Sequence, residues 1–361
     1  MPRSTRKRKK RIRRIISLVS RLAIFCIIVA AVVGAVILFI GNNPDVEPTG
    51  QDGIDSIQNT GNPPSESDPE NSSPEEENTG EAEPEPEPEP EPENSVPEEK
   101  YRYVTYSQDD IKRGLLILVN NQYAYEFPES NPDFVDVYEK KSSTYKIRDT
   151  GIYFNGTAME HFDALLNDFY NATNNHNIII TSCFRDYAEQ ERIMNNRIAS
   201  VGEERARLFV ANPGNSEHHT GLAVDIGIYT DDGDSYDFRG EGEYGYINEN
   251  CYKFGFIVRY LEEKTEYTGI ADEPWHFRYL GAPHAEIITK YGLCMEEYIS
   301  FLKAFSADGT QFTFKTFDGD AYVIYYVKSE GETTQVPVPL EGEYTVSGNN
   351  IDGFIVTAKI Q

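Results

Sequence analysis

The sequence predicts an α+β fold, since helical and strand-like apolar patterns follow one another in mixed order between residues 100 and 304. Two observations carry this. Apolar residues recur at 3–4 spacing from Thr157 to Thr173, and short β-branched runs at Asn177–Ser182 and Leu222–Ile228 are too short for helices. A third pattern begins after Ala304, where aromatic and β-branched runs alternate with turn residues and predict a short C-terminal β appendage.

In the first helix, Met159, Phe162, Leu165, Leu166, Phe169 and Tyr170 form one apolar stripe. Asn177-Ile178-Ile179-Ile180-Thr181-Ser182 reads as a buried strand. Asp186 to Ser200 reads as a second helix, capped by Asp186 with Glu189 three residues on. Leu222–Ile228 and His276–Leu280 read as further strands, with a short helix at Glu249–Tyr252. Gln311–Lys315, Ala321–Val327 and Phe354–Thr357, separated by Asp-Gly and Gly-Asn turns, are hairpin signals. Residues 305–361 are short for independent stability and are expected to pack on the main domain.

Charge divides the 361 residues sharply. The 33 Lys+Arg and 60 Asp+Glu give a net charge of −27. Such acidity argues against a nucleic-acid partner, because tracking phosphates needs a basic face. Residues 1–21 are a basic arm without an acid. Leu22–Ile40 is free of charge and proline, and at 1.5 Å per residue matches a hydrocarbon core of ~30 Å. The positive-inside rule places the arm in the cytoplasm and the rest outside. Phe39-Ile40-Gly41-Asn42-Asn43 offers no small-x-small cleavage site, so the span reads as an uncleaved signal anchor. Residues 41–99 are acidic, rich in Pro and Glu and poor in apolar side chains, the composition of a disordered stalk. Residues 100–304 then form the main domain. Cys183, Cys251 and Cys294 are an odd set that implies no disulfide framework. Nothing in the pattern supports homo-oligomerisation, so a monomer is expected.

Of the six histidines, His161, His176 and His284 have ordinary surface or helix-end readings. His218, His219 and His276 fall in polar clusters attached to strands: Ser216-Glu217-His218-His219-Thr220-Gly221-Leu222-Ala223-Val224-Asp225 and Glu273-Pro274-Trp275-His276. Two imidazoles and a carboxylate suit a catalytic zinc, whose fourth position is left open, and a carboxylate three residues before the last ligand suits a proton acceptor. Any one of these histidines taken singly is more often structural. Their order gives the set its weight.

The two segments follow S-x-H-x-x-G-x-A-x-D and, about fifty residues on, E-x-W-H. With Leu118-Val119-Asn120, Thr181-Ser182-Cys183-Phe184-Arg185, Gln190, Tyr252–Tyr260 and Thr268-Gly269 in order, the chain resembles the VanY-type zinc D-alanyl-D-alanine carboxypeptidases over most of residues 115–295. The resemblance implies a single zinc-peptidase domain of the hedgehog/D,D-peptidase type, with a small antiparallel sheet and flanking helices. It implies one zinc per chain on His218, Asp225 and His276, and Glu273 as general base and then acid. Arg185, Gln190 and Ser216 fall where that family receives the terminal carboxylate, and Arg185 is also placed to steady an oxyanion. Cys183 departs from the family's usual Gly, and His219 stands beside the first ligand. An extended segment would turn His219 away from the metal. Trp275 is expected to point opposite to His276, and Gly221 and Ala223 to let the backbone pass close to the metal.

The activity so implied is removal of the terminal D-alanine from peptidoglycan stem peptides by a membrane-anchored enzyme on the wall side. An L,D-carboxypeptidase trimming tetrapeptide stems is the nearest alternative, and a non-catalytic wall-binding module the one from another class. The retained Glu273 argues against the module, because a structural zinc needs no base.

Overall fold

A computed structural model describes residues 100–130 and 133–360. The basic arm, the anchor at Leu22–Ile40 and the stalk lie outside the described residues. Among the described residues no helix is long and apolar enough to cross a membrane.

The described chain opens with strand β1 (Tyr101–Ser107). Short strands β2 (Phe134–Asp136), β3 (Lys146–Ile147) and β4 (Tyr153–Asn155) lead into helix α1 (Gly156–Thr173). Then come β5 (Ile178–Ser182), helix α2 (Tyr187–Val201), β6 (Ala223–Tyr229), β7 (Ser235–Asp237), β8 (Phe256–Tyr260) and β9 (Glu273–Tyr279). Helices α3 (His284–Tyr291) and α4 (Met295–Leu302) follow. The main sheet has the order β3-β5-β6-β9-β8, with β7 paired to β6. Only β3 joins it in parallel; the other pairings are antiparallel.

Helix α1 begins where the Asn155 side chain accepts from the Ala158 N–H at 3.1 Å, and ends at Asn174, whose φ of 57° is left-handed. Its stripe of Met159, Phe162, Leu165, Leu166 and Phe169 is buried against the sheet, with Phe162 packed on the rings of Phe256 and Phe277 at 5.0 and 6.1 Å. Each such side chain contributes about 1.5–3 kcal/mol by burial, which anchors this face of the sheet. Helix α2 differs. Asp186 caps it by accepting from the Glu189 N–H at 2.7 Å, but only Gln190 and Met194 are buried along it. Its inner face is a cleft wall instead of core.

The C-terminal segment supplies β10 (Phe312–Lys315), β11 (Ala321–Lys328), β12 (Thr333–Pro339), β13 (Tyr344–Gly348) and β14 (Gly353–Ile360). Four of these form a sheet in the order β10-β11-β14-β13, while β12 pairs with β1, so the first strand of the 100–304 segment is shared with the appendage. The two segments also share a core: Ile287, Ile288, Tyr298 and Leu302 of α3 and α4 pack with Phe314, Ile324 and Ile355.

His284 is the first residue of α3, as the helix-end reading has it, but sits within that joint and is buried, so the surface reading does not hold. Its Nδ1 lies 2.7 Å from the Tyr298 hydroxyl and its Nε2 3.0 Å from Thr357 Oγ1, so the ring ties α3 to α4 and β14. The pattern Gly-Ala-Pro-His carries no trace of a partner more than seventy residues away. Burial lowers the pKa of His284 from 6.5 to about 3. Between these values the unfolded chain takes up a proton that the folded chain refuses. The contribution is therefore full above the unfolded value and falls by about 1.4 kcal/mol per pH unit below it. His284→Gln should accordingly lose Tm less steeply than the wild type between pH 6 and 4.5 in thermal melts. Parallel curves would show that His284 takes its proton in the folded state.

Candidate metal and catalytic site

Three backbone-level ties bring the site loops together. The turn Glu217–Thr220 is a short 3-10 helix, not an extended segment, and it lies against the end of β5. The Arg185 N–H donates to the His218 carbonyl at 3.2 Å. His218 Nδ1 donates to the Cys183 carbonyl at 2.5 Å, and His219 Nδ1 donates to the Arg185 carbonyl at 2.7 Å. His219 Nε2 then accepts from the Gly214 N–H at 3.0 Å. Both nitrogens of His219 are spent on backbone, so it is a clamp on the loops and not a ligand; hydrogen bonding, not strand alternation, turns it away. Gly221 closes the turn at φ +67°, and a Cβ there would lie 2.4 Å from the Phe134 ring. That contact and the left-handed backbone explain the glycine, in place of an approach to the metal.

With its Nδ1 occupied, His218 presents Nε2, which lies 3.1 Å from Asp225 Oδ2. Asp225 on β6 is paired in register with His276 on β9, and His276 Nδ1 lies 2.9 Å from Asp225 Oδ1. One donor atom from each of His218, Asp225 and His276 falls within 4.8 Å of the others. Glu273 Oε2 lies 4.0 Å from His276 Nδ1. Three residues apart, Glu273 and His276 would face opposite sides of a regular strand. The pairing of β8 with β9 slips between Val258↔Phe277 and Tyr260↔Glu273, leaving extra residues on β9, and both side chains line one cleft. A second slip, between Ile180↔Ile226 and Ser182↔Asp225, lies between β5 and β6. Irregularities of this kind re-aim side chains beside active sites.

The cleft has a volume of about 1000 Å³. Arg185, Gln190, Ser216, His218, Asp225, Glu273 and His276 all line it, so every site residue read from the sequence is brought together. Trp275 also lines it, half-buried under the Arg239 guanidinium at 5.9 Å; the slip in β9 keeps it from pointing away as strict alternation would require. Arg185 Nε donates to Ser182 Oγ at 2.8 Å, Nη1 to Gln190 Oε1 at 3.2 Å, and Nη2 pairs with Asp225 Oδ2. Gln190 Nε2 donates to the Ala211 carbonyl at 2.8 Å. Cys183 is buried and unpaired, and burial pushes its thiol well above the ordinary range.

The electrostatics separate the two carboxylates. Burial pushes Glu273 up to about 8, against the opposing charges of His276 and Arg185. Burial also penalises Asp225, but His218 and Arg185 outweigh it and hold that carboxyl well below its ordinary value. Burial and the Arg185 charge lower His218 to about 4, which keeps the imidazole neutral. His276 goes the other way: burial is overcome by the neighbouring carboxylates of Asp225, hydrogen-bonded at 2.9 Å, and Glu217 at 3.7 Å, and its pKa rises to about 9.

Sequence reasoning missed a layer of buried charge behind the site. Glu217 Oε1 accepts from Arg259 Nε at 2.8 Å and lies 3.0 Å from Arg278 Nη1, while Arg259 forks onto Glu296 at 2.7 and 3.0 Å. Arg259, Arg278 and Glu217 are buried to 1% exposure or less. The available signal was two arginines, in Phe256-Ile257-Val258-Arg259-Tyr260 and His276-Phe277-Arg278-Tyr279, set among apolar neighbours where a lone charge requires a buried partner.

A paired-histidine and carboxylate cluster, with a proton-accepting carboxylate beside it in a deep cleft, is the arrangement of a metallohydrolase. Residues 151–282 match the family model "VanY: D-alanyl-D-alanine carboxypeptidase". A D-alanyl-D-alanine carboxypeptidase of Enterococcus faecium is 33% identical over 266 residues, covering 73% of this chain and 81% of the relative. One of Enterococcus faecalis is 34% identical over 222 residues, covering 56% and 72%. The crystal structure of the vancomycin-resistance D,D-dipeptidase VanXYg, in complex with a D-Ala-D-Ala phosphinate analog, is similar with a TM-score of 0.65 and 32% identity over 72% of this chain and 99% of that one. The chain belongs to the VanY D-alanyl-D-alanine carboxypeptidase family, and it is an enzyme of that class.

Proposed function

We propose that this chain is a membrane-anchored, wall-side zinc carboxypeptidase that removes the terminal D-alanine from peptidoglycan stem peptides. The observation that carries the reading is the convergence of His218, Asp225 and His276 donor atoms within 4.8 Å, with Glu273 at 4.0 Å from His276 Nδ1. The donor set suits zinc: His218 has its Nδ1 proton directed to a carbonyl and its Nε2 turned to the cluster, and Asp225 is held ionised. His218 Nε2, an Asp225 oxygen and His276 Nδ1 would hold the metal. When bound, zinc supplies Lewis acidity toward the scissile carbonyl and a water acidified to a pKa of ~7.

The side chains then do the rest. Glu273 takes a proton from the attacking water at its carboxylate and returns it to the departing amine nitrogen. Arg185 directs its remaining N–H groups at the substrate, to the terminal carboxylate and the developing oxyanion. Ser216, buried and lining the same cleft, adds a hydroxyl donor for that carboxylate, and Gln190 fixes Arg185 from behind. The anchor at Leu22–Ile40 and the acidic stalk at 41–99 support a location at the wall, within reach of this substrate.

The test is release of free D-alanine by the purified protein with zinc, on a pentapeptide stem ending in D-Ala-D-Ala and on the tetrapeptide, each with a chelated control. Cleavage of the pentapeptide alone, abolished by chelator, is expected. Cleavage of the tetrapeptide would move the assignment to L,D-specificity, and no cleavage of either by zinc-loaded protein would end the carboxypeptidase reading.

A further inference from the structure

His276 has two nitrogens with different surroundings. Nδ1 faces Asp225 Oδ1 at 2.9 Å and Glu273 Oε2 at 4.0 Å, on the cleft side. Nε2 faces the protein interior, 3.7 Å from Glu217 Oε2. Both Nε2 and Oε2 are buried without a hydrogen-bond partner, 3.7 Å from one another. Leaving two such groups unmet costs free energy that a closure of under ~1 Å removes. The Tyr260 ring lies 4.9 Å from the imidazole and limits its rotation. Glu217 itself cannot turn away, because its other oxygen is pinned by Arg259 and Arg278.

We infer that Glu217 is a positioning residue for the metal site: it accepts from His276 Nε2–H and so fixes the tautomer that leaves the Nδ1 lone pair free toward Asp225. The inference rests on the reading of His218, Asp225 and His276 as metal ligands. A carboxylate behind a ligating imidazole raises its basicity and sets the ring's orientation. Arg259 and Arg278 on the other oxygen of Glu217 keep the carboxylate charged and still.

Glu217→Gln tests this sharply. Two guanidinium donors demand an acceptor, so the amide oxygen stays with Arg259 and Arg278, and the amide NH₂ is left facing His276 Nε2. Donor against donor, the ring's proton moves to Nδ1, the nitrogen the metal needs. Zinc affinity of the full-length protein, measured by competition with a chelating dye, should fall roughly 10- to 100-fold. Glu296→Gln, which loosens the far end of the same charge cluster, beyond Glu217 and Arg259 from His276, should lower Tm yet leave the zinc Kd within about twofold. Folded Glu217→Gln with wild-type zinc Kd would overturn the proposal, as would equal weakening by Glu296→Gln. Should Glu217→Gln not fold, Glu217→Asp keeps the charge but withdraws the oxygen from His276; weaker zinc binding is again expected, and an unchanged Kd again overturns it. His218→Ala is the separate arm. Wild-type zinc affinity in that variant would reject the ligand set itself and not the role of Glu217.

Discussion

Glu273→Gln is expected to retain metal at wild-type stoichiometry while kcat falls roughly 10²–10⁴-fold, the usual worth of a positioned general base. In free energy that is about 3–5 kcal/mol of transition-state stabilisation. The substitution is nearly isosteric, and the side chain it alters stands beside the cluster without being needed to close it: the three donors converge without Glu273. What the amide lacks is a site for the proton. Burial raises the proton affinity of the native carboxyl above that of an ordinary glutamate, the direction a general base working near neutral pH requires. His218→Ala is the contrasting variant, losing metal and turnover together. Metal analysis with steady-state kinetics on D-Ala-D-Ala substrates separates the two. If Glu273→Gln protein came out metal-free, Glu273 would be a ligand and the division between base and metal site would be wrong.

The parts of this site legible in the sequence are those made of rare residue types in a fixed order. His218, Asp225, Glu273 and His276 stood out because two imidazoles and two acids fall in a fixed order in polar clusters attached to strands, the helix at Gly156–Thr173 because of its apolar stripe, and that at Tyr187–Val201 because of its Asp186 cap. The layer behind the site was not legible. Glu217, Arg259, Arg278 and Glu296 are common residues far apart in the chain, and only folding makes them one ion cluster. The same holds for β1, whose partner Thr333–Pro339 is more than two hundred residues away, and for His284, whose partners lie on α4 and β14. Local pattern reports the hydrophobic period of a segment, not its neighbour. The face shared by Glu273 and His276 was hidden for a related reason: alternation forbids it, and the register slip that permits it is decided by pairing with β8.

Arg185→Ala should damage cleavage of substrates with a free terminal carboxylate far more than cleavage of their amidated counterparts. A guanidinium carries five N–H donors. Three are engaged, by Ser182, Gln190 and Asp225, and these contacts approach from separate sides and hold the plane still. The other two belong to the Nη1 and Nη2 groups and are left for an anion in the cleft. A charge-assisted bond to a carboxylate contributes about 1.5–3 kcal/mol, so kcat/KM should drop roughly 10- to 150-fold more for the acid than for the amide. Arg185→Lys should recover only part of this, since an ammonium cannot fork onto a carboxylate while holding Ser182 and Gln190. The pair with Asp225 supplies the competing account. Were Arg185 there to keep that carboxylate ionised and in place, its loss would weaken metal binding and depress both substrates alike. Zinc Kd measured beside the two kcat/KM values decides it: unchanged affinity with selective loss on the free acid makes Arg185 the residue that recognises the chain end, and equal losses with weaker zinc make it a support of the metal site.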